Sequence, residues 1–294
     1  MSLRANDRTF PEAVSPGEAG GYSLRRKGLL GLVRNGVMDE RVTYDCANGV
    51  AVLMLNRAER RNAIDRWMLQ ALIAALRQAN EDPQARVVAL TGRGRGFCAG
   101  LDMDENRALD DEAGEEYART CGQLLLRAAG AVRKPIIVAA HGVCSGLGAS
   151  LALACDMRVM SDDTVLDPGP ADGSWVPEAG MSWFLTRHLG YGRAFDVIAR
   201  HDRLTAMRCL ELGLASDVLP CETLMAEVMR IASTLAAQPA HALSHAKSAL
   251  RDAIGMSLMD AVANDAHLRR LEREAGEIPR LPQPASARQG VARV

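Results

Sequence analysis

Short apolar runs and longer amphipathic segments alternate along the first two thirds of the chain. Val50–Leu55, Arg86–Thr91 and Ile136–Ala140 have the length and β-branched content of buried strands. Arg41–Asp45 and Val50–Leu55 flank Ala47-Asn48-Gly49, a hairpin signal. A helix is predicted from an Asp65 cap through Asn80, with Met68, Leu72 and Leu76 on one face. A second is predicted over Glu115–Val132, and Asp104–Asp111 between them reads as an acidic loop. Short strands follow near Met157–Met160 and Thr164–Leu166. From Ser182 onward the pattern is helical: Trp183–Leu189, Arg193–Arg200, Thr205–Leu212, Cys221–Ala237, Pro239–Ile254 and Ser257–Ala275. Residues 1–40 are polar, with Gly and Pro, and read as a loose extension; residues 278–294, with three prolines, read as a flexible tail.

The densest pattern is Pro135–Asp156, PIIVAAHGVCSGLGASLALACD. A strand runs into Gly142, Gly146 and Gly148 and then into a small-residue helix, Ala149–Ala154. Free N–H groups at such a helix start attract negative charge. With no Lys, Asp or Glu between Pro135 and Cys155, chemistry there has to use the backbone, which points to an oxyanion site. A second glycine turn, GRGRGFCAGLD (Gly92–Asp102), follows the Arg86–Thr91 strand. It lacks the lysine of a phosphate loop and the GxGxxG spacing of a dinucleotide turn.

The pair FCAGLD (Phe97–Asp102) and HGVCSGLGASLALACD (His141–Asp156) resembles the crotonase family, the enoyl-CoA hydratases and isomerases, over about residues 40 to 255. The resemblance implies an α/β fold: a crotonase-like spiral of repeated ββα units over 41–200 and a helical, trimerising C-terminal region over 201–277. It implies that one backbone N–H from each turn, those of Ala99 and Leu147, holds the thioester oxygen of an acyl-CoA. Gly100, Leu101, Asp102, Gly146 and Gly148 shape the two turns around the substrate. In NRAERRNAID (56–65), Arg57 and Arg61 become candidate phosphate contacts and Ala63 a backbone contact to CoA; the plain reading is a solvated, charged turn. The family's Phe- and Lys-rich C-terminal signature is absent.

Hydratases of the family use two glutamates. Counted without gaps, these positions hold Ser150 and Pro170; Asp167 and Asp172 are the nearest carboxylates to the second. WVPEAGMSW (175–183) supplies another, Glu178, in the Pro-Glu/Asp-x-Gly setting where isomerases of the family carry their acid. The plain reading places Glu178 in the first turn of a helix opened by Pro177. Moving a double bond from C3 to C2 needs only one base, which takes the C2 proton and returns it to C4. Trp175, Val176 and Met181 are expected as apolar walls that raise the Glu178 pKa, with Trp175 against substrate. The reading is therefore a 3,2-enoyl-CoA isomerase. A hydratase using Asp172 is the first alternative, and a thioester hydrolase or decarboxylase the next. A catalytically silent acyl-CoA- or RNA-binding homologue is the alternative of another class.

Composition narrows the field. Apolar content of 48% and a net charge of −1 describe a soluble globular protein and argue against a nucleic-acid partner held by phosphate contacts, so no nucleic acid is expected. Seven dispersed cysteines with no CxxC read as buried thiols, not a disulfide frame or zinc site. No run of about 18 apolar residues spans a membrane, and a cytoplasmic location is expected. His241 and His245 lack the glutamate of HExxH, so no metal is expected. His141 reads as structural, and Cys144 and Ser145 lack a base partner for nucleophilic work. The expected partner is an acyl-CoA thioester, with no cofactor beyond the CoA it carries. The expected assembly is a homotrimer or dimer of trimers.

Overall fold

The computed structural model describes residues 40–107, 109, 111–169 and 175–274. The extension up to residue 39, Pro170, Asp172 and the tail at 278–294 lie outside the described residues. The hairpin forms as the pattern predicts. Strands β1 (Val42–Ala47) and β2 (Val50–Leu55) pair antiparallel, and the turn between them puts Asn48 and Gly49 at φ +52° and +81°. Helix α1 (Arg66–Glu81) begins at its predicted cap, where the Asp65 carboxylate accepts from the Met68 N–H at 2.8 Å.

A repeat then sets in: a strand in one sheet, a short strand in a second sheet, and a helix. The first turn is β3 (Val87–Gly92), β4 (Gly96–Cys98) and helices α2 (Met103–Arg107) and α3 (Asp111–Ala131). The second is β5 (Ile136–Ala140), β6 (Val143–Ser145) and α4 (Gly146–Ala154). The third is β7 (Met157–Ser161), β8 (Val165–Asp167) and helices α5 (Met181–Leu189) and α6 (Tyr191–Ala199). β3, β5 and β7 run parallel in a six-stranded sheet whose last strand is β10 (Asp217–Leu219), in the order β1-β2-β3-β5-β7-β10. The short strands, with β9 (Leu204–Thr205), form a second sheet of order β4-β6-β8-β9. This is the ββα spiral expected of the chain. Its main core gathers the buried faces of α1, α3 and α4 with Leu53, Leu55, Leu90 and Phe97.

Two local expectations are corrected. The stretch after Ser182 is not wholly helical. Leu204–Thr205 (β9) joins the small sheet, and Asp217–Leu219 (β10) pairs with β7 at the edge of the large one. Two- and three-residue strands carry too little pattern to be told from loop. The acidic stretch after the first glycine turn opens with α2 rather than a loop. Its Asp104 pairs with Arg60 and its Glu105 with Arg66, so the charges have partners distant in sequence.

Helices α7 (Ala206–Glu211), α8 (Cys221–Ala236), α9 (Ala240–Ala253) and α10 (Leu258–Glu274) complete the chain. α8 covers the outer face of the large sheet, burying Leu224, Val228 and Ala232 on Val87, Ile137 and Val159. α9 is tied to the spiral by charge. Asp156 accepts from Lys247 Nζ at 2.7 Å and Arg251 at 3.1 Å, while Lys247 also donates to the Lys134 carbonyl. No helix among the described residues is long and apolar enough to cross a membrane.

Candidate active site

The two glycine turns leave the C-terminal ends of neighbouring strands, β3 and β5, and are pressed together backbone to backbone. A Cβ built on Gly100 would lie 2.9 Å from the Ser145 carbonyl oxygen and 3.4 Å from the Leu147 nitrogen. One built on Gly148 would meet Cys98 at 2.7 Å. Gly100 also sits at φ +93°, so its backbone angle and its surroundings each call for glycine. Ser145 bridges the turns by donating its hydroxyl to the Ala99 carbonyl at 2.9 Å, a structural bond that accounts for the hydroxyl.

Donor availability departs from expectation at one turn. The Ala99 N–H donates to the Arg61 carbonyl at 3.0 Å, so the expected donor is already engaged. The Gly100 N–H faces Cys98 Sγ at 3.4 Å, and the Asp102 N–H bonds the Ile64 carbonyl at 2.9 Å. Among the described residues, the Leu101 N–H donates to no protein acceptor. The shift has a simple cause: Ile64 and Leu101 bridge in parallel, which alternates the inward- and outward-facing amides of the turn. Leu147 stands where expected, at the second position of α4, whose N–H has no intrahelical carbonyl to reach.

Glu178 comes to the same place from the third turn of the spiral. Its Oε1 lies 3.1 Å from where a Gly146 Cβ would be, so the carboxylate rests against the backbone that opens α4. The first-turn reading is corrected: α5 begins at Met181, capped by Gly180, and Glu178 precedes it. Ala179 and Gly180 both take left-handed angles, φ +48° and +76°. Ala179 is a non-glycine residue in a costly conformation. The turn rests on α3, where a Cβ on Gly122 would lie 3.6 Å from Ala179 and one on Gly180 would lie 3.5 Å from Leu126, both ordinary contacts. The expected apolar walls are also corrected. Met181 is buried, but Trp175 and Val176 are exposed, and the Trp175 ring sits edge-on to His201 with centroids 3.9 Å apart.

The segment before α1 braces the first turn instead of reaching outward. Arg57 was expected on a phosphate; its Nη1 instead bonds Asp102 at 2.6 Å and the Ala63 carbonyl at 2.9 Å. Ala63 is likewise occupied, its N–H on the Arg60 carbonyl and its own carbonyl on Arg57. Asp102 is buried. Burial alone pushes its carboxyl up, but hydrogen bonds from Arg57 and the Asp104 N–H, with the charges of Arg57 and Arg60, outweigh that and hold it below the usual range. Arg61 is exposed at φ +51° and keeps its guanidinium toward solvent. Asn62 escaped the sequence reading altogether. Fully buried at φ +56°, it accepts from the Arg57 N–H and donates to the Arg93 and Gly96 carbonyls at 3.0 and 2.8 Å. An Asn amid charged residues between a strand and a helix cap was the available signal, since Asn tolerates left-handed turns.

Cys144 is buried and its thiol pushed well above its ordinary value by that burial, which removes it as a nucleophile. His141 contacts the Gly94 carbonyl at 3.1 Å, a structural role.

An open amide on each of two glycine turns packed backbone to backbone, with one carboxylate against Gly146, suits a substrate that develops negative charge on oxygen while losing a proton. The chain belongs to the enoyl-CoA hydratase/isomerase family, whose profile it matches over residues 45–274. It is 33% identical over 221 residues to the 1,2-epoxyphenylacetyl-CoA isomerase of Escherichia coli, covering 74% of this chain and 84% of that one. It is 32% identical over 219 residues to the 2,3-dehydroadipyl-CoA hydratase of the same organism, covering 74% and 85%. A crystal structure of an enoyl-CoA hydratase from Polaromonas superposes with a TM-score of 0.75 at 28% identity, covering 80% of this chain and 92% of that one.

Proposed function

We propose that the protein is a 3,2-enoyl-CoA isomerase with a single carboxylate base. The Leu101 and Leu147 N–H groups hold the thioester oxygen, and Glu178 takes the C2 proton and returns it to C4. The observation that carries this reading is the setting of Glu178: its oxygen rests on Gly146, beside the Leu147 donor. The relatives bear names of both kinds, isomerase and hydratase. What favours isomerisation is that Ser150, fully buried, replaces the first of the two carboxylates that hydration uses. Coenzyme A arrives as part of the substrate, and Arg61, exposed before α1, is a cation that suits its phosphates.

The same reading extends to assembly as a homotrimer or dimer of trimers. Leu250, Ile254, Leu258, Met259 and Val262 on and between α9 and α10 are exposed apolar side chains that a second copy would cover. Light scattering reads the mass directly, and a monomer at micromolar concentration would end that part of the proposal.

The testing experiment is Glu178→Gln. The expected result is loss of conversion of a 3-enoyl-CoA to its 2-enoyl isomer, with binding of a saturated acyl-CoA retained. Normal isomerisation by the variant, or rapid hydration of 2-enoyl-CoA by the wild type, overturns the reading.

A further inference from the structure

The turn that carries Glu178 into the site is held at an angle its sequence does not favour. Among the described residues, five non-glycine residues take left-handed angles. Asn48, Asn62 and His201 belong to types that occupy this region readily. Ala179, at φ +48°, does not, and its methyl group has no polar atom with which to offset the cost. Glycine avoids that cost at the very next position, where Gly180 takes φ +76°.

The place of Ala179 in the turn gives its methyl a use. The Pro177 ring fixes the backbone ahead of Glu178, and the Met181 N–H closes the turn on the Glu178 carbonyl at 2.9 Å. Beyond Gly180, α5 is anchored by buried Met181 and Leu185. Ala179 and Gly180 are thus the two links between the carboxylate and its anchor, and Gly180 is the permissive one. The Ala179 side chain packs half-buried on the main core, where a Cβ on Gly122 of α3 would lie 3.6 Å from both its Cα and its Cβ. The methyl narrows the backbone choices of its link and seats that link on α3. Ala179→Gly would create a Gly-Gly hinge beside the carboxylate whose Oε1 rests 3.1 Å from the Gly146 Cβ position.

Resting on the proposed role of Glu178 as base, we infer that Ala179 is a positioning residue: its strained backbone fixes the direction of the Glu178 side chain, so the turn carries strain that serves turnover rather than stability.

Ala179→Gly separates the two. Its melting temperature is expected at or above wild type, since the left-handed cost disappears and the added freedom of the unfolded chain offsets only part of it. Its kcat for 3-enoyl-CoA isomerisation is expected to fall about 10-fold at unchanged KM, because a misplaced base loses rate without losing substrate contacts. Ala179→Ser keeps a Cβ and is expected to restore kcat. Exchange of the C2 protons of saturated hexanoyl-CoA in heavy water reads the base without isomerisation, and the variants should follow the same order. Wild-type kcat and exchange in Ala179→Gly, a lower melting temperature accompanying its lost rate, or an Ala179→Ser variant equally slow would each overturn the inference. Exchange by a wild type that does not isomerise would sink the proposed reaction, and the order of exchange rates would still decide the role of Ala179. Exchange that survives Glu178→Gln, or a wild type that neither exchanges nor isomerises, overturns both.

Discussion

Gly146→Ala puts a methyl carbon 3.1 Å from Glu178 Oε1, closer than an ordinary contact, while adding nothing polar or charged. The carboxylate can yield, being the end of a flexible side chain, so the expected consequence is a displaced base and not a collapsed core. The substitution also places Ala at φ +49°. A left-handed angle costs about 1–2 kcal/mol for a residue with a Cβ. A stiffer unfolded chain returns about 0.4–1 kcal/mol. The net is about 1 kcal/mol, or about 2–4 °C in Tm for a domain of this size. Gly213→Ala is the matched control. It sits at φ +75° with nothing within 4 Å of its added Cβ, so it bears the backbone cost alone. Both variants should lose similar stability in thermal melts. Only Gly146→Ala should lose kcat for 3-enoyl-CoA isomerisation, by about 10-fold, since small displacements of a positioned base carry rate penalties of that order. Wild-type turnover by folded Gly146→Ala would refute the placement of Glu178 as base. An equal loss of rate in Gly213→Ala would show that the effect is global.

Leu147→Pro removes one proposed oxyanion donor at a helix position that tolerates proline; kcat/KM should fall about 100-fold, the usual loss for one such donor, with helicity by circular dichroism preserved. Asp102→Asn removes the closer of two carboxylates paired with the largely buried Arg57, leaving Asp65 at 3.5 Å, and should cost about 1.5–3 kcal/mol near neutral pH by denaturant unfolding, the worth of a charged hydrogen bond. The depressed Asp102 carboxyl contributes stability above its unfolded value of about 3.9 and loses it as pH falls through the lower folded value, so wild type and variant should converge in that acid window. Asp156→Asn weakens the tie to Lys247 and Arg251, and hydrogen exchange should accelerate in residues 240–253 while β7 and β5 beyond Ile136, whose own N–H donates to Asp156, stay protected.

Sequence pattern carried the strands and helices that are long or strongly periodic. Ile136–Ala140 and the α1 cap at Asp65 appear as read, because a fully apolar run and a capping carboxylate each have few other uses. β9 and β10 were illegible for the opposite reason, since pairing partners make them strands and composition does not. Arg57 and Asp102 show a similar limit. An arginine in a polar turn resembles a ligand-facing group until the fold brings a buried carboxylate 45 residues away to 2.6 Å.

The site itself shows which part of a backbone motif can be read and which cannot. The glycines locate the turns because their angles and close approaches exclude side chains, and that constraint leaves a direct mark on the sequence. The orientation of each amide leaves none. Ala99 and Leu101 lie on the same turn, two residues apart, and both carry an N–H. Only the bridge between Leu101 and Ile64, with the Arg61 carbonyl waiting at Ala99, decides which amide is engaged and which remains open. Side chains hold that decision in place from outside the site. Asn62 ties the 57–62 turn to Arg93 and Gly96, and Arg57 clamps Asp102 at the turn's far end. The proposed donor amide is thus held by polar residues that need not touch substrate, so loss of Asn62 or Asp102 should act on the proposed oxyanion site through the turn they hold.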